Sequence, residues 1–205
     1  SVFCSSLLGV CQRRAQFREA AHWLTLVDFA RNAERQIYDA LIDEMPLTHC
    51  AFETELETLH VAPAGRDLAG AEIDLVSLDS RAYRLAQSIQ AVGDAYEIIL
   101  IDCPPSLGLL TLNALTAADA VLIPLQCEYY ALEGLANLVE TVDLVRAELN
   151  TRLEVQGIVL TMVDQRNNLA RQVEAEVRRH FGDKVYRTRI PRNVRLSEAP
   201  SHGQP

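Results

Sequence analysis

Ile98-Ile99-Leu100-Ile101-Asp102-Cys103-Pro104-Pro105-Ser106 is the stretch whose reading decides the fold. Four consecutive apolar residues ending in an aspartate describe a strand buried on both faces, the kind found in parallel sheets. Such a strand delivers one carboxylate to its C-terminal edge. In phosphoryl-transfer sites a carboxylate placed there holds Mg²⁺, directly or through water, beside a triphosphate. The partner it needs is a Gly-rich loop with a lysine, and the chain offers none: its nine glycines are scattered and its only lysine is Lys184. The plainer reading is a turn aspartate that caps the next helix through its own carboxylate or through Ser106.

Outward from this stretch the pattern is regular. A strand at 96–102 is followed by a helix near 106–117, a short buried strand at Ala120–Pro124 and a long amphipathic helix at 131–148. That helix carries Leu132, Leu135, Leu138, Val139, Val142 and Val145 at helical spacing. A strand from Glu154 to Met162, a helix at 168–181 and a short strand at 184–188 complete the half. Strands alternating with helices of this length predict an α/β fold with a parallel sheet. Upstream, a helix is expected over 31–42, a strand over 58–63 ended by Pro63, a helix over 68–77 capped by Asp67, and another over 80–91. Residues 1–27 show neither periodicity nor turn logic and receive no assignment.

The 205 residues are 49% hydrophobic, enough for one sizeable core. No run approaches the ~18 apolar residues of a membrane span. Residues 1–27 lack the layout of a signal peptide. The five cysteines are odd in number and lack CxxC spacing, which suggests neither a disulfide framework nor a zinc site and points to a reducing cytoplasm. His22, His49, His60, His180 and His202 have no mutual metal-like spacing. Residues 165–195 hold nine basic residues against three acids, a surplus of +6 in a chain of net charge −9, which leaves −15 for the rest. From charge alone, a solvated helix followed by a basic loop explains this segment better than a polyanion-binding face.

Several stretches together resemble the ParA/Soj (MinD-like) family of deviant-Walker partition ATPases, in its chromosomal ParA/Soj branch. They are Glu34-Arg35-Gln36-Ile37-Tyr38-Asp39-Ala40-Leu41, Asp67-Leu68-Ala69-Gly70-Ala71-Glu72, and Leu100-Ile101-Asp102-Cys103-Pro104-Pro105-Ser106-Leu107-Gly108. Further on come Pro124-Leu125-Gln126-Cys127-Glu128-Tyr129-Tyr130-Ala131-Leu132-Glu133-Gly134 and Ile190-Pro191-Arg192-Asn193-Val194-Arg195-Leu196-Ser197-Glu198-Ala199-Pro200-Ser201-His202-Gly203. They keep the family's order over residues 28–205. The resemblance implies a parallel-sheet P-loop NTPase domain, Rossmann-like with three layers. It also implies a piece cut at both ends. The family's opening strand, its K-G-G-x-G-K-T loop, the helix after it, the D-x-D-P-Q strand and the closing strand and helix find no match. Residues 1–27 look unrelated to the family.

The resemblance assigns roles residue by residue. The aspartate matching Asp102 supports Mg²⁺ and orients the attacking water, and the turn through Pro104 senses the γ-phosphate of ATP. The adenine lies near Met162 and Asp164 and near the loop with Pro191 and Asn193. Basic residues matching Arg166 and Arg195, with Arg171 and Arg192 nearby, contact DNA without sequence preference, which reverses the plainer reading of the basic segment. Glu128 to Gly134 implies packing and a dimer surface. The family works as an ATP-driven homodimer on the nucleoid, in the cytoplasm rather than at a membrane. Its usual partner is a ParB-type centromere-binding protein. Arg13-Arg14 has no adjacent glycine that would let the backbone approach a phosphate, so ATP and Mg²⁺ binding are expected to be lost or severely impaired. Two functions stand side by side: a partition ATPase domain, and a non-catalytic remnant or interaction module. Loss of a central strand also predicts exposed apolar faces and open ladder edges, unless residues 1–27 replace it.

Overall fold

The computed structural model describes residues 7–12, 33–54, 58–65, 67–103, 108–164 and 166–193. In chain order the elements are β1 (Leu7–Gln12), α1 (Ile37–Ile42), α2 (Leu47–Cys50), β2 (Phe52–Glu53), β3 (His60–Val61), α3 (Leu68–Val76) and α4 (Arg84–Val92). Then follow β4 (Ile98–Cys103), α5 (Leu109–Ala117), β5 (Ala120–Gln126), α6 (Ala131–Glu148), β6 (Glu154–Val163), α7 (Asn168–Phe181) and β7 (Val185–Pro191). The expected alternation from residue 96 onward is present, and the helices α6 and α7 have the expected bounds.

Two compact units divide these elements. The first holds a five-stranded sheet in the order β4-β1-β5-β6-β7. β5, β6 and β7 pair in parallel, as two-residue turns cannot arrange but helical crossovers can. β1 pairs antiparallel with β4, from Leu7↔Cys103 to Gln12↔Ile98, and antiparallel with β5, from Leu8↔Leu122 to Val10↔Ala120. β4 and β5 therefore run the same way on either side of a reversed strand. Residues 7–12, left unassigned on sequence grounds, occupy the central position that the family resemblance gives to a parallel strand. The ladder to β5 ends at Leu122, two residues before Pro124, which has no N–H to offer a neighbour.

The core of this unit follows from the alternation in β5, where Val121, Ile123 and Leu125 are buried, and from Ile158, Leu160 and Val163 in β6. Of the six apolar positions foreseen on α6, Leu135, Leu138, Val142 and Val145 are buried. Ala170, Val173 and Val177 supply the matching stripe on α7. Asn150 ties the turn after α6 to the end of α5: its Nδ2 donates to the carbonyls of Leu115, Thr116 and Ala118 at 3.0, 3.2 and 2.8 Å. Those carbonyls belong to a helix end, which has no intrahelical donors for them. One face of β4 fares less well. Leu100 stands half exposed beside the exposed Asp102, so part of the apolar face expected to lie open does so.

The second unit is built from α1 to α4, the first turn of α5, and the two-residue antiparallel pair of β2 with β3. Its core is Ala40, Leu41, Cys50, Ala71, Leu75 and Leu85. Arg84 closes α1, donating to the Leu41 and Ile42 carbonyls at 2.8 and 3.1 Å while meeting Glu44 at 2.7 Å. The buried amide of Asn113 accepts from the Leu85 N–H at 3.2 Å and donates to the Arg81 and Leu109 carbonyls. The foreseen cap at Asp67 is absent: its backbone is already helical and its side chain makes no capping bond.

Two substitutions test this arrangement. Val10→Pro removes a ladder donor from a strand paired on both sides, and the expected outcome is loss of the cooperative thermal transition followed by circular dichroism. Gly157 faces Tyr186 and the Lys184 carbonyl, and a Cβ there would lie 2.7 and 3.0 Å from them. Gly157→Ala is expected to cost about 1–3 kcal/mol in urea unfolding, as overpacking does.

Candidate functional site

The C-terminal ends of β4, β5, β6 and β7 share one edge of the sheet, where α/β proteins bind ligands. β4, β6 and β7 each bring a sequence-marked residue to that edge. Asp102 is the penultimate residue of β4 and is exposed. Met162 is the penultimate residue of β6, exposed and in the left-handed region with φ of 50°, a conformation that side chains with a Cβ adopt rarely and that concentrates at functional sites. Pro191 ends β7, and Arg192 and Asn193 follow it, all exposed.

Met162, Asp164, Arg166, Pro191, Arg192 and Asn193 come together because β6 and β7 are neighbours. The Arg192 N–H donates to the Val163 carbonyl at 3.2 Å, tying the two strand ends. Asp164 is engaged in the turn that starts α7: its Oδ1 accepts from the Arg166 N–H at 3.0 Å and its carbonyl from the Asn167 N–H at 3.1 Å. Asn167 then caps α7 by accepting from the Leu169 N–H at 2.9 Å. Asp102 stands apart from this group. Three strand positions separate β4 from β6, about 14 Å at the usual spacing.

Arg166 and Arg171 are exposed and, among the described residues, have no carboxylate partner, while Arg171 meets the Asn168 side-chain oxygen. The Arg192 guanidinium lies 4.0 Å from Glu128, at the start of the β5–α6 connection. Nothing in the sequence spacing pairs these two, since 64 positions separate them. The basic segment is less cationic than its count. Glu174 holds both Arg178, at 2.8 Å, and Arg189, at 3.2 Å, and Glu176 holds Arg179. Tyr129 and Tyr130 are both exposed, with rings edge to face at 5.0 Å, so a surface role fits them and a packing role does not. Pro104 and Arg195 lie outside the described residues.

Among the described residues, no lysine and no glycine-rich turn stands beside Asp102. A lysine must neutralise the β- and γ-phosphates and consecutive backbone N–H groups must cradle them. Lys184 precedes β7, four strand positions from β4 and at the opposite end of the strands. The reversed β1 delivers Gln12, and with it the departing chain, to the edge away from Asp102. Among the described residues no three carboxylate, histidine or cysteine groups gather to hold a metal. Asp102 itself is exposed on β4. Beside it, burial first and the Asp102 charge second push the Cys103 thiol up to about 12.

Parallel strands β5, β6 and β7 with helices between them, their C-terminal ends sharing one edge, are the α/β architecture of P-loop NTPases. A family model described as AAA domain matches residues 20–155. The chain is 57% identical over 174 residues to the sporulation initiation inhibitor protein Soj of Bacillus subtilis, with 85% of this chain and 69% of that protein covered. It is 56% identical to the chromosome partitioning protein ParA of Caulobacter vibrioides, covering 82% of this chain and 64% of that protein. Among solved structures, cobyrinic acid a,c-diamide synthase from Mycobacterium smegmatis, with bound ATP analog and magnesium, superposes with a TM-score of 0.74 at 32% identity over 84% of this chain and 71% of that one. The chain belongs to the ParA/Soj family of partition ATPases. It spans about two thirds of the length of these curated relatives. Among the described residues no helix is long and apolar enough to cross a membrane.

The Cys103 environment has a measurable consequence. A thiol whose proton is held more tightly in the folded state than at its ordinary 9.0 stabilises the fold below pH 9 and loses that contribution as pH rises towards about 12. Stability measured by urea unfolding is expected to fall across that window, and Cys103→Ala to flatten the fall. At pH 8 the native thiol is expected to resist iodoacetamide, with modification appearing only in denaturant.

Proposed function

We propose that this chain serves chromosome or plasmid partitioning as a ParA/Soj-type domain over residues 28–205, binding DNA without sequence preference through Arg166, Arg171, Arg192 and Arg195 and without holding Mg·ATP. The observation that carries the first part is the exposed placement of Arg166 and Arg171 beside the β6–β7 strand ends, without a carboxylate partner among the described residues, in a chain 57% identical to Soj. What carries the second is the reversed strand β1 beside Asp102, with Lys184 across the sheet. Asp102 then marks the position where the family supports Mg²⁺, and no catalytic step is assigned to it here. Met162, Asp164, Pro191 and Asn193 form the base side of the same family pocket, with Asp164 engaged in its turn.

Contacts of this kind go to phosphate oxygens, so they position rather than specify. They also release condensed counterions, which makes affinity fall steeply with salt. A homodimer, a ParB-type partner and residence on the nucleoid belong to the same proposal, as properties of the family. A second reading is favoured by the reversed β1 and the distance of Lys184 from Asp102: a nucleotide-free interaction module that touches proteins rather than DNA.

Fluorescence anisotropy on a labelled duplex separates the two. The first reading expects sequence-tolerant binding whose salt slope falls by about 1 for each of Arg166→Ala and Arg192→Ala, unchanged by ATP and Mg²⁺. Absence of binding at low salt would transfer the function to the module reading. Saturable binding of a fluorescent ATP analogue at micromolar concentration would refute the loss of the nucleotide site.

A further inference from the structure

Exposed apolar side chains are not spread evenly over this molecule. Among the described residues ten large ones stand exposed, and four of them, Tyr129, Tyr130, Met162 and Ile190, lie at the edge formed by the ends of β5, β6 and β7. Strand pairing explains the gathering. Gln126 pairs with Thr161, and Val163 with Pro191, so the residues at the end of each strand share one rim. Apolar groups gathered on a surface mark an interaction site, whereas scattered ones need no explanation. The two tyrosines are the most open of the four, with 72% and 57% of their surface exposed. Their rings meet edge to face at 5.0 Å, a favoured aromatic geometry. Such a contact covers a single ring face, and the exposure of both rings leaves others open to a further ring.

Cations stand beside these rings. Arg192 ties the strand ends together: its N–H donates to the Val163 carbonyl at 3.2 Å, and its guanidinium reaches Glu128, the residue before Tyr129, at 4.0 Å. That distance is the outer limit of an ion pair, and both groups face solvent, where such pairs contribute little. A phosphate can take the arginine from it. Arg166, four residues after Met162, is exposed and has no carboxylate partner among the described residues, since Asp164 accepts from its backbone N–H and not from its side chain. The rim therefore offers flat π-faces beside cations. The ligand with matching chemistry is a run of unpaired bases on a phosphate backbone, which aromatic platforms flanked by basic groups bind. A duplex presents the same phosphates but keeps its bases inside the stack.

We infer that Tyr129 and Tyr130, with Met162 on the neighbouring strand end, form a stacking platform for the bases of single-stranded DNA, whose phosphates Arg166 and Arg192 hold. The inference rests on the DNA reading of these arginines. It adds a selectivity that phosphate contacts do not supply, a preference for unpaired over paired strands. Every base has a π-face, so stacking tolerates any sequence.

The test uses the 205-residue chain in anisotropy titrations at one fixed low salt concentration. Three labelled ligands of about 12 nucleotides, within the usual site size for single strands, are compared: a pyrimidine strand, its duplex, and an abasic strand with the same phosphates. The base-bearing strand is expected to bind at least about fivefold more tightly than the abasic one. Tyr129→Ala and Tyr130→Ala are each expected to weaken it about fivefold or more, the effect of losing one stacked base, and to leave duplex affinity unchanged. Tyr129→Phe keeps the ring and is expected to keep the affinity. Arg166→Ala is expected to weaken single strand and duplex alike. Both tyrosines are exposed, so unfolding curves of the alanine variants should match the parent. Equal binding of the abasic strand, indifference of the single strand to both alanine variants, an equal loss on the duplex, or self-association of the chain abolished by Tyr129→Ala would each overturn the inference. Duplex binding that persists beside any of these results leaves the DNA reading standing, whereas absence of binding to duplex and single strand alike removes both.

Discussion

Everything in the sheet-bearing unit depends on filling one central position between two strands that run the same way. β4 and β5 each present a row of backbone donors and acceptors to that position, and buried backbone groups without partners are costly. β1 supplies both rows from six residues. It does so in reverse, and the direction matters more than the pairing. A parallel strand would end at the edge where Asp102, Gln126, Val163 and Pro191 end. The reversed one begins there and leaves from the other side. The hydrogen-bonding requirement of the sheet is met by a strand of the opposite direction.

Electrostatic accounting on the same unit shows why a residue count is a poor measure of a surface. Glu174 engages two arginines, one four residues on along α7 and the other on β7. Arg178 in turn donates to the Tyr186 carbonyl at 3.2 Å, so this cluster fastens helix to strand. What reads as a basic run in one dimension becomes a partly neutralised seam plus a smaller exposed set at the strand ends. Arg166 and Arg171 belong to that set because the turn at Asp164 and Asn167 uses backbone and short side chains to start the helix, leaving the long cations outside.

Much of this was legible in the sequence. The alternation of apolar runs and amphipathic stretches after residue 96 fixed the order and type of the elements, because burial on both faces of a parallel strand leaves an unbroken apolar run. The bounds of α6 and α7 could be read for a similar reason: each has a clear apolar stripe, and Gly182, at φ of 51°, ends α7. Other features had no local signal. β1 looks like an ordinary apolar hexamer, and only the vacancy between β4 and β5 gives it a place. The strand foreseen over 58–63 is only the two residues of β3, and its partner β2 was not foreseen, since two residues paired in a ladder leave no periodicity to detect. Asp67 looked like a helix cap by type, and failed as one because its backbone had already entered the helix. The approach of Glu128 to Arg192 depends on strand order alone.

The reversed central strand also sets a clock. Leu7 finds its partner at Cys103 and Val10 its second partner at Ala120, so no ladder for β1 exists until some ninety to a hundred and ten further residues have been made. At ribosomal rates of about 5–20 residues per second, that is a delay of several seconds or more. Throughout that interval a short apolar segment has no sheet to join, and any unpaired ladder edge is open to it. Contacts this distant along the chain also slow folding once synthesis is complete. The strand that joins β4 to β5 is therefore made well before either partner, and the interval before it docks is when this segment is most exposed to chaperones and to aggregation.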